Sequence, residues 1–309
     1  MDKSRIQKKK FDFILISPGI NIDKCDLKNY IRKNKKKIIT DLDIFYSQNS
    51  KNKIITITGT NGKSTTAKLL DLILKGHKKD SRLCGNIGNP ILSQKKISKK
   101  TLFVIEASSY QIAYSKLFKS NYVIILNISP DHLERHGSIE NYVSAKFKLV
   151  TKQSKEDFSY INSKNKYLKN AIKKNKIFSK IINVNPNASK SFERKIYNPY
   201  FSTKGNKENL TFIFAICKKL NLQNKEIFKI INKFKGLKYR QQIIYDNSKI
   251  KIINDSKSTS FASTTNIFQS LEKVFWLVGG MGKLGDRFNL KKNECKNIKA
   301  YIFGKNKKF

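Results

Sequence analysis

The chain has 309 residues, of which 39% are hydrophobic, so it is long enough to bury the cores of about two or three domains. Its apolar runs are much shorter than the roughly 20 residues of a membrane-spanning helix, and the first of them contains Asp12 and is too short for a signal peptide. The four cysteines lie far apart, which predicts neither a disulfide framework nor a cysteine-based zinc site. We therefore expect a cytoplasmic protein without a membrane partner.

The formal net charge is +42, a value that is typical of nucleic-acid-binding proteins. Here, however, the lysines are spread along the whole chain among asparagines and isoleucines. All three residue types have A/T-rich codons, so a biased genome is a sufficient explanation. We expect no nucleic-acid partner, and a nucleic-acid-binding ATPase remains an alternative that needs the basic side chains on one surface. The positive field would also attract an anionic substrate.

Residues 1–48 are predicted to form part of an α/β domain. Strands are expected at 11–16 and 37–40, with a helix at 27–33 between them. Ser17, Pro18 and Gly19 follow the first strand as a turn. Open α/β sheets bind ligands at the carboxyl ends of their strands, so this turn is a candidate binding loop.

The segment "TGTNGKST" (58–65) is a candidate phosphate loop. It departs from the pattern G-x-x-x-x-G-K-[ST], because Ile57 stands where the first glycine belongs. An apolar strand at 54–57 precedes it and a helix at 66–74 follows, so backbone N–H groups at a helix start would face a phosphate. Lys63 would reach the terminal phosphates, and Ser64 or Thr65 would offer a hydroxyl to Mg²⁺. The alternative is that the glycines serve only the geometry of the turn.

From 49 to 235 strand and helix patterns alternate, which predicts a mostly parallel sheet covered by helices. Further strands are expected at 102–106 and 122–127, whereas 151–200 is lysine-rich and predicted to be rich in loops, without elements that can be placed. Glu106 ends the first of these strands and could hold Mg²⁺ directly or through water. The alternative for Glu106 is a solvent-exposed strand end.

His132 and His136 follow the next strand, beside Asp131 and Glu134, and the chain has only three histidines. A neutral histidine ring can bind a metal or orient a reacting group, although a single histidine after a strand is more often structural. Lys146 lies in the helix-like segment that follows. On the bare sequence, an exposed helix lysine is the simplest interpretation of Lys146.

Residues 236–309 are predicted to form a third α/β region, with strands near 250–253, 274–278 and 300–303. Asp255, Lys257 and Thr259 follow the first of these strands, and Lys283 lies in a glycine turn after the second. Lys257 could bind an anion, and Asp255 could accept a hydrogen bond from a substrate amine. Lys63 and Lys283, each beside glycines in a different region, are consistent with an anionic substrate held between domains.

Taken in order, these segments resemble the Mur ligases, the ATP-dependent amino-acid ligases of peptidoglycan precursor synthesis. "TGTNGKST" is similar to that family's phosphate loop, which lacks the first glycine. The segments "SPGI", "GNIGNP", "EASSYQI", "NISPDHLERHGSIENYVSAK" and "INDSKSTS" look like those of the members that add D-glutamate to UDP-N-acetylmuramoyl-L-alanine. The resemblance implies a monomer that uses ATP and two Mg²⁺ ions and acts on these two small substrates through an acyl phosphate.

The resemblance also implies an α/β fold with a central phosphate-loop domain at 49–235. Two incomplete Rossmann-like domains, at 1–48 and 236–309, would flank it, because the chain begins in the middle of the family's first domain and ends early in its third. The first would bind the uridine nucleotide and the last would be part of the C-terminal ligase domain. A catalytically inactive ATP-binding fragment of such a ligase is therefore an alternative.

Each candidate residue receives a role by resemblance. The loop residues Gly59, Thr60, Asn61, Gly62, Lys63, Ser64 and Thr65 would bind ATP together with Asn206, Asn209, Arg240 and Asp255. Ser64 and Glu106 would hold the first Mg²⁺, and His132 would hold the second with Lys146, which the resemblance implies is carbamylated. Lys63, His132 and Lys146 would be catalytic. The uridine nucleotide would lie against Ser17, Pro18, Gly19 and Asn86, and D-glutamate near Lys257, Thr259 and Lys283.

Overall fold

The computed structural model describes residues 10–188, 190–247, 249–258, 260–268, 271–280 and 288–304. The N-terminal region contains strand β1 (Ile14–Leu15), helix α1 (Lys28–Lys33) and strand β2 (Ile38–Ile39), and the two strands pair in parallel. Both strands are shorter than predicted, because only these residue pairs meet in register. A small core of Ile16, Ile22, Ile31 and Ile38 lies beneath them.

Helix α2 (Asp41–Asn49) follows, in a segment for which the sequence analysis placed no element. It starts with a capping box, in which the Thr40 hydroxyl accepts from the Asp43 N–H and the Asp43 carboxylate accepts from the Thr40 N–H. Its apolar side chains Leu42 and Phe45 are buried with the strands of the central region.

The central region is built on one parallel sheet of six strands in the order β4-β5-β3-β6-β7-β8. The sheet and the helices between its strands consist, in chain order, of β3 (Lys53–Thr58), α3 (Lys63–Gly76), β4 (Ser81–Gly85), β5 (Leu102–Glu106), α4 (Ser109–Tyr114), β6 (Tyr122–Ile125), α5 (Leu133–His136), α6 (Ile139–Thr151), β7 (Phe158–Asn162), α7 (Lys166–Lys174) and β8 (Lys180–Val184). The predicted α/β class and central parallel sheet are confirmed.

The central strands are apolar without alternation because both faces of the sheet are covered. Successive side chains of a strand point to opposite faces, and accordingly Ile55 and Ile57 belong to one core while Ile54 belongs to the other. One face is covered by α3 and by two later helices, α9 (Lys204–Lys219) and α10 (Asn224–Lys233). The other face is covered by α2, α4, α6 and α7.

The expectation that 151–200 is rich in loops is wrong, since this stretch contains β7, α7, β8 and the short helix α8 (Lys190–Glu193). The apolar pattern that would mark these elements in the sequence is weak for two reasons. Helix α7 buries just Leu168 and Ala171 among its lysines, and β8 lies at the edge of the sheet with most of its side chains solvent-accessible.

The C-terminal region contains a hairpin of β9 (Gln242–Asp246) and β10 (Lys251–Asn254), followed by helix α11 (Phe261–Phe268). Strands β11 (Val274–Gly279) and β12 (Ile298–Phe303) then pair in parallel as a separate sheet. Each predicted strand of this region is present, and no end is shifted by more than two residues. In the described part of the chain, no helix has the length and apolar character needed to cross a membrane.

Candidate active site

The loop 59–62 joins β3 to α3 at the carboxyl edge of the central sheet. Asn127, which follows β6, holds it in place: its carbonyl accepts from the Thr60 N–H at 2.9 Å and its side-chain oxygen accepts from the Asn61 N–H at 2.8 Å. The Asn127 side chain also donates to the Asn61 carbonyl at 3.1 Å. This residue was predicted only as the end of a strand, and its position after β6 is the signal that could have identified it.

Gly62 is required both by its backbone and by its surroundings. Its φ is +85°, and a Cβ at this position would overlap the side-chain amide of Asn209 from α9. The predicted ATP-binding residue Asn209 therefore lies directly against the phosphate loop.

The first turn of α3 carries Lys63, Ser64 and Thr65, so this helix begins three residues earlier than predicted. The Lys63 ammonium donates to the Thr60 carbonyl at 2.8 Å, which places the side chain over the loop. Ser64 and Thr65 are buried, and the Thr65 hydroxyl lies 3.1 Å from that of Tyr200. A helix start of this kind attracts phosphate through its N–H groups and its dipole.

Glu106, at the end of β5, is 1% exposed, so the interpretation as a solvent-exposed strand end is wrong. One carboxylate oxygen accepts from the Asn86 side chain at 2.9 Å, while the other, Oε2, is buried without a hydrogen-bond partner among the described residues. A buried carboxylate oxygen is costly unless a donor or a cation completes it. The Glu106 carboxylate and the Ser64 hydroxyl are oxygen ligands of the kind that Mg²⁺ prefers.

Lys146 is 2% exposed, so the interpretation as an exposed helix lysine is also wrong. Its amine donates to the Gly59 carbonyl at 2.9 Å and to the Thr58 hydroxyl at 3.3 Å, and it lies 4.8 Å from the centre of the Tyr142 ring. Burial, and then the charge of Lys63, hold the pKa of Lys146 well below its usual value. The signal was present in the sequence, since Lys146 falls on the apolar stripe of α6 with Tyr142, Val143, Phe147 and Val150.

His132 precedes α5 and His136 is its last residue, and both share an aromatic cluster with Tyr110 and Tyr142. His132 has a φ of +55°, and its Nδ1 lies 2.8 Å from the Tyr110 hydroxyl while its Nε2 lies 3.3 Å from Asp131. The Nε2 of His136 lies 3.0 Å from the Ser109 hydroxyl. Burial, followed by the charge of Lys146, lowers the pKa of His136 to about 4, so this ring is neutral at pH 7.

Asp255 and Asn206 belong to one hydrogen-bonded network at the junction of the central and C-terminal regions. Asn206 donates to the Tyr200 carbonyl at 2.7 Å and to the Gln241 side chain at 3.1 Å, and the Gln241 N–H donates to Asp255 at 3.0 Å. The Tyr200 hydroxyl, besides contacting Thr65, is 3.4 Å from the Arg240 carbonyl. Burial raises the pKa of Asp255 to about 6.

The remaining predicted residues are those assigned to the uridine nucleotide and to D-glutamate. Ser17, Pro18 and Gly19 form a turn after β1, and Asn86 contacts Glu106 rather than that turn. Lys257 is exposed. Thr259 and Lys283 fall outside the described residues.

In the described ranges, no cluster of three or more histidine, cysteine or acidic side chains is arranged to hold a metal ion. The buried residues that could supply ligand oxygens include Ser64 with its hydroxyl and Glu106 with its carboxylate. Phosphate oxygens and water would therefore have to supply the rest of a magnesium shell.

The chain is similar in sequence to proteins of one known family. Residues 57–225 match the Mur ligase middle domain. The UDP-N-acetylmuramoylalanine–D-glutamate ligase of Rickettsia bellii (strain RML369-C) is 33% identical over 98% of this chain and 71% of the relative. The ligase of the same name from Francisella tularensis (strain SCHU S4 / Schu 4) is 34% identical over 97% of this chain and 71% of the relative.

Solved structures share the fold. The UDP-N-acetylmuramate-alanine ligase MurC from Thermotoga maritima aligns with a TM-score of 0.60 at 18% identity, over 94% of this chain and 71% of that protein. MurF from Acinetobacter baumannii aligns with a TM-score of 0.62 at 20% identity, over 79% of this chain and 60% of that protein.

The chain belongs to the Mur ligases, a family of ATP-dependent ligases of peptidoglycan synthesis. It spans 71% of the length of the Rickettsia bellii relative.

Proposed function

We propose that the chain encodes a ligase that joins D-glutamate to UDP-N-acetylmuramoyl-L-alanine and uses ATP to do so. The observation that carries this proposal is the meeting of Lys63, Lys146 and the unpartnered oxygen of Glu106 at one phosphate loop. The names of the curated relatives supply the substrates. The division of labour among 1–48, 49–235 and 236–309 is part of the proposal.

In the first step, the substrate carboxylate attacks the γ-phosphorus of ATP and ADP leaves. A carboxylate needs this activation because an amine cannot displace oxide, whereas it can displace phosphate. The N–H groups of the loop and the Lys63 ammonium would hold the phosphates in line for transfer. Mg²⁺, when bound, neutralises phosphate charge, with Ser64 and Glu106 as candidate ligands of one ion and His132 and a carbamylated Lys146 as candidate ligands of the other.

The burial of Lys146 supports carbamylation. Lowering the pKa of an amine favours its neutral form, and the neutral amine can attack CO₂, which forms an N–C bond and releases one proton. The product is an anionic carboxylate on the side chain. It would place a negative oxygen donor where the unmodified lysine offers no metal ligand.

In the second step, the amine of D-glutamate attacks the acyl phosphate carbon, and phosphate leaves from a tetrahedral intermediate. Asn206, Asn209, Arg240 and Asp255 would bind the nucleotide around the junction, while Lys257, Thr259 and Lys283 would lie near D-glutamate. Closure over the site would exclude the water that otherwise hydrolyses the acyl phosphate.

An ATP-binding chain without turnover is the second candidate. The observation that favours it is the exposure of apolar side chains on the β11–β12 sheet, including Leu277 at 74% and Phe303 at 59%. An apolar face of this kind normally lies against other protein.

The decisive experiment detects UDP-N-acetylmuramoyl-L-alanyl-D-glutamate by mass spectrometry after incubation of the purified chain with ATP, Mg²⁺ and both substrates. L-glutamate is the control, and ATP binding is measured in parallel. Product with the D isomer alone supports the ligase. ATP binding without product favours the second candidate, and loss of both overturns the phosphate-loop assignment.

A further inference from the structure

Arg135 lies on α5, between His132 and His136, and reaches from the central region to the N-terminal turn. Its guanidinium donates to three successive backbone carbonyls: those of Pro18 at 3.3 Å, Gly19 at 3.4 Å, and Ile20. No role for this arginine follows from the sequence alone. One side chain thus engages three of the four carbonyls of the 17–20 loop.

Aromatic side chains fix the direction of that guanidinium. It lies 5.1 Å from the ring centre of Tyr110 and 5.5 Å from that of Tyr114, and it donates to the Tyr114 hydroxyl at 3.2 Å. Tyr110 in turn contacts the His132 ring, and Tyr114 packs against the small core of the N-terminal region. Arg135 therefore lies between the histidine cluster and the N-terminal turn, held from both sides.

An arginine suits this position for two physical reasons. Its planar fork of five donors can serve several carbonyls at once, which a lysine ammonium cannot do with the same geometry. Its charge is permanent, and a positive charge beside the loop favours an anionic ligand there. The loop itself is accessible, since Ser17 and Gly19 are exposed and a Cβ on Gly19 would meet open space.

We infer that Arg135 is a positioning residue for the 17–20 loop: it holds this backbone in the shape that receives the anionic part of a uridine nucleotide and ties it to the helix of His132 and His136. The inference rests on the proposed function, which supplies the nucleotide. Arg135 thereby receives a role of its own, and the shape of the 17–20 loop is predicted to depend on this one side chain.

Lys116 provides a matched control. Its ammonium also crosses to the N-terminal region, where it donates to the carbonyls of Lys35 at 2.6 Å and Lys36 at 2.8 Å. It is exposed and does not contact the 17–20 loop in the described structure. Lys116→Gln thus removes a cationic link between the same two regions without touching the proposed nucleotide loop.

The test measures the affinities of UDP-N-acetylmuramoyl-L-alanine and of ATP by calorimetry in wild type, Arg135→Gln, Arg135→Lys and Lys116→Gln. Arg135→Gln is expected to weaken binding of the uridine nucleotide by about tenfold or more, because hydrogen bonds made by a charged group contribute that much free energy. ATP affinity is expected to stay within about twofold, which also shows that the central region is folded. The affinity of Arg135→Lys for the uridine nucleotide should lie between those of wild type and Arg135→Gln. The affinity of Lys116→Gln should equal that of wild type.

Hydrogen exchange separates this inference from the proposed function. The Ile20 N–H donates to the Ser17 carbonyl at 3.0 Å, and its exchange should accelerate in Arg135→Gln but not in Lys116→Gln. If wild type binds the uridine nucleotide and Arg135→Gln binds it equally well, the inference alone is overturned. If wild type does not bind it, the proposed substrate fails, and unchanged exchange at Ile20 would overturn the positioning role as well.

Discussion

Strand β3 of the central sheet and strand β11 of the C-terminal sheet are both apolar parallel strands of six residues, yet their surroundings differ. In β3, Ile55 is fully buried, because β5 and β6 flank the strand and helices cover both faces. In β11, the Trp276 face packs against Phe261 and Phe268, whereas Leu277 on the opposite face is 74% exposed. Apolar composition thus makes a strand, but only covering elements bury it.

The same contrast applies to charged groups. In the central region Asp43 is 1% exposed and collects hydrogen bonds from the Ser115 hydroxyl and from the N–H groups of 116–118. In the C-terminal region Asp246 pairs with Lys251 at 3.1 Å on the surface. Stability should therefore be concentrated in the central region, and the following variants test that expectation in order of decreasing effect.

The largest effect is expected for Asp43→Ala. It leaves several buried donors unpaired, each at a cost of about 1–3 kcal/mol, so the free energy of unfolding should fall by at least about 3 kcal/mol. Asp246→Ala removes a surface pair and should cost less than about 1 kcal/mol. Urea unfolding followed by circular dichroism measures both, and equal losses would refute the contrast.

The next effect concerns apolar packing. Ile55→Ala should reduce the free energy of unfolding by about 2–5 kcal/mol, because it opens a cavity in a closed core. Leu277→Ala should change it by less than about 0.5 kcal/mol, since the side chain is mostly in solvent. A substantial loss in Leu277→Ala would mean that the outer face of β11 is covered in solution.

Ligand binding should follow the same division. Lys63→Ala is expected to weaken ATP binding by about 10- to 100-fold, which corresponds to the loss of charge-assisted hydrogen bonds to phosphate. Lys257→Ala, in the C-terminal region, should leave ATP affinity within about twofold, because this exposed lysine is proposed to serve D-glutamate. Calorimetric titration with ATP distinguishes the two variants. An ATP affinity of Lys63→Ala equal to that of wild type would contradict the phosphate-loop assignment.

The smallest effect is a pH dependence at the junction. The pKa of Asp255 is raised to about 6 by burial, above the value of 3.8 for a free aspartate, so the folded state binds the proton more tightly. The stabilisation from this proton is present below pH 3.8 and is lost as the pH rises through 6.

Asp255→Asn should therefore flatten the decline in stability between pH 4 and pH 6. Asp43 has the opposite sign, because its hydrogen bonds outweigh burial and lower its pKa. The stabilisation from ionised Asp43 is present above the pKa that this residue has in the unfolded chain. It is lost as the pH falls through the lower pKa that the residue has in the folded chain. Unfolding experiments at a series of pH values separate the two carboxylates, and an unchanged slope in Asp255→Asn would contradict the first assignment.

The sequence by itself determined three strands of the central sheet, namely β3, β5 and β6, together with the phosphate loop and its helix and the cluster of polar residues at the carboxyl ends of β5 and β6. These features depend on local information, namely unbroken apolar runs, glycines at a turn and helical spacing. The same information failed at 151–200, where few apolar residues mark α7 and β8 among many lysines.

Only the tertiary structure decided which polar side chains lose their water. On the bare sequence, an exposed side chain is an open interpretation for both Lys146 and Glu106. Packing of α6 against the sheet, and of β5 between β3 and β4, buries both of them. Arg135 became visible in the same way, because its partners Pro18, Gly19 and Ile20 lie more than a hundred residues away in the chain. The physical reason is that burial and long-range hydrogen bonds depend on which elements cover one another. The apolar stripe of α6 marks the face on which Lys146 lies, but it does not specify the loop that this face covers.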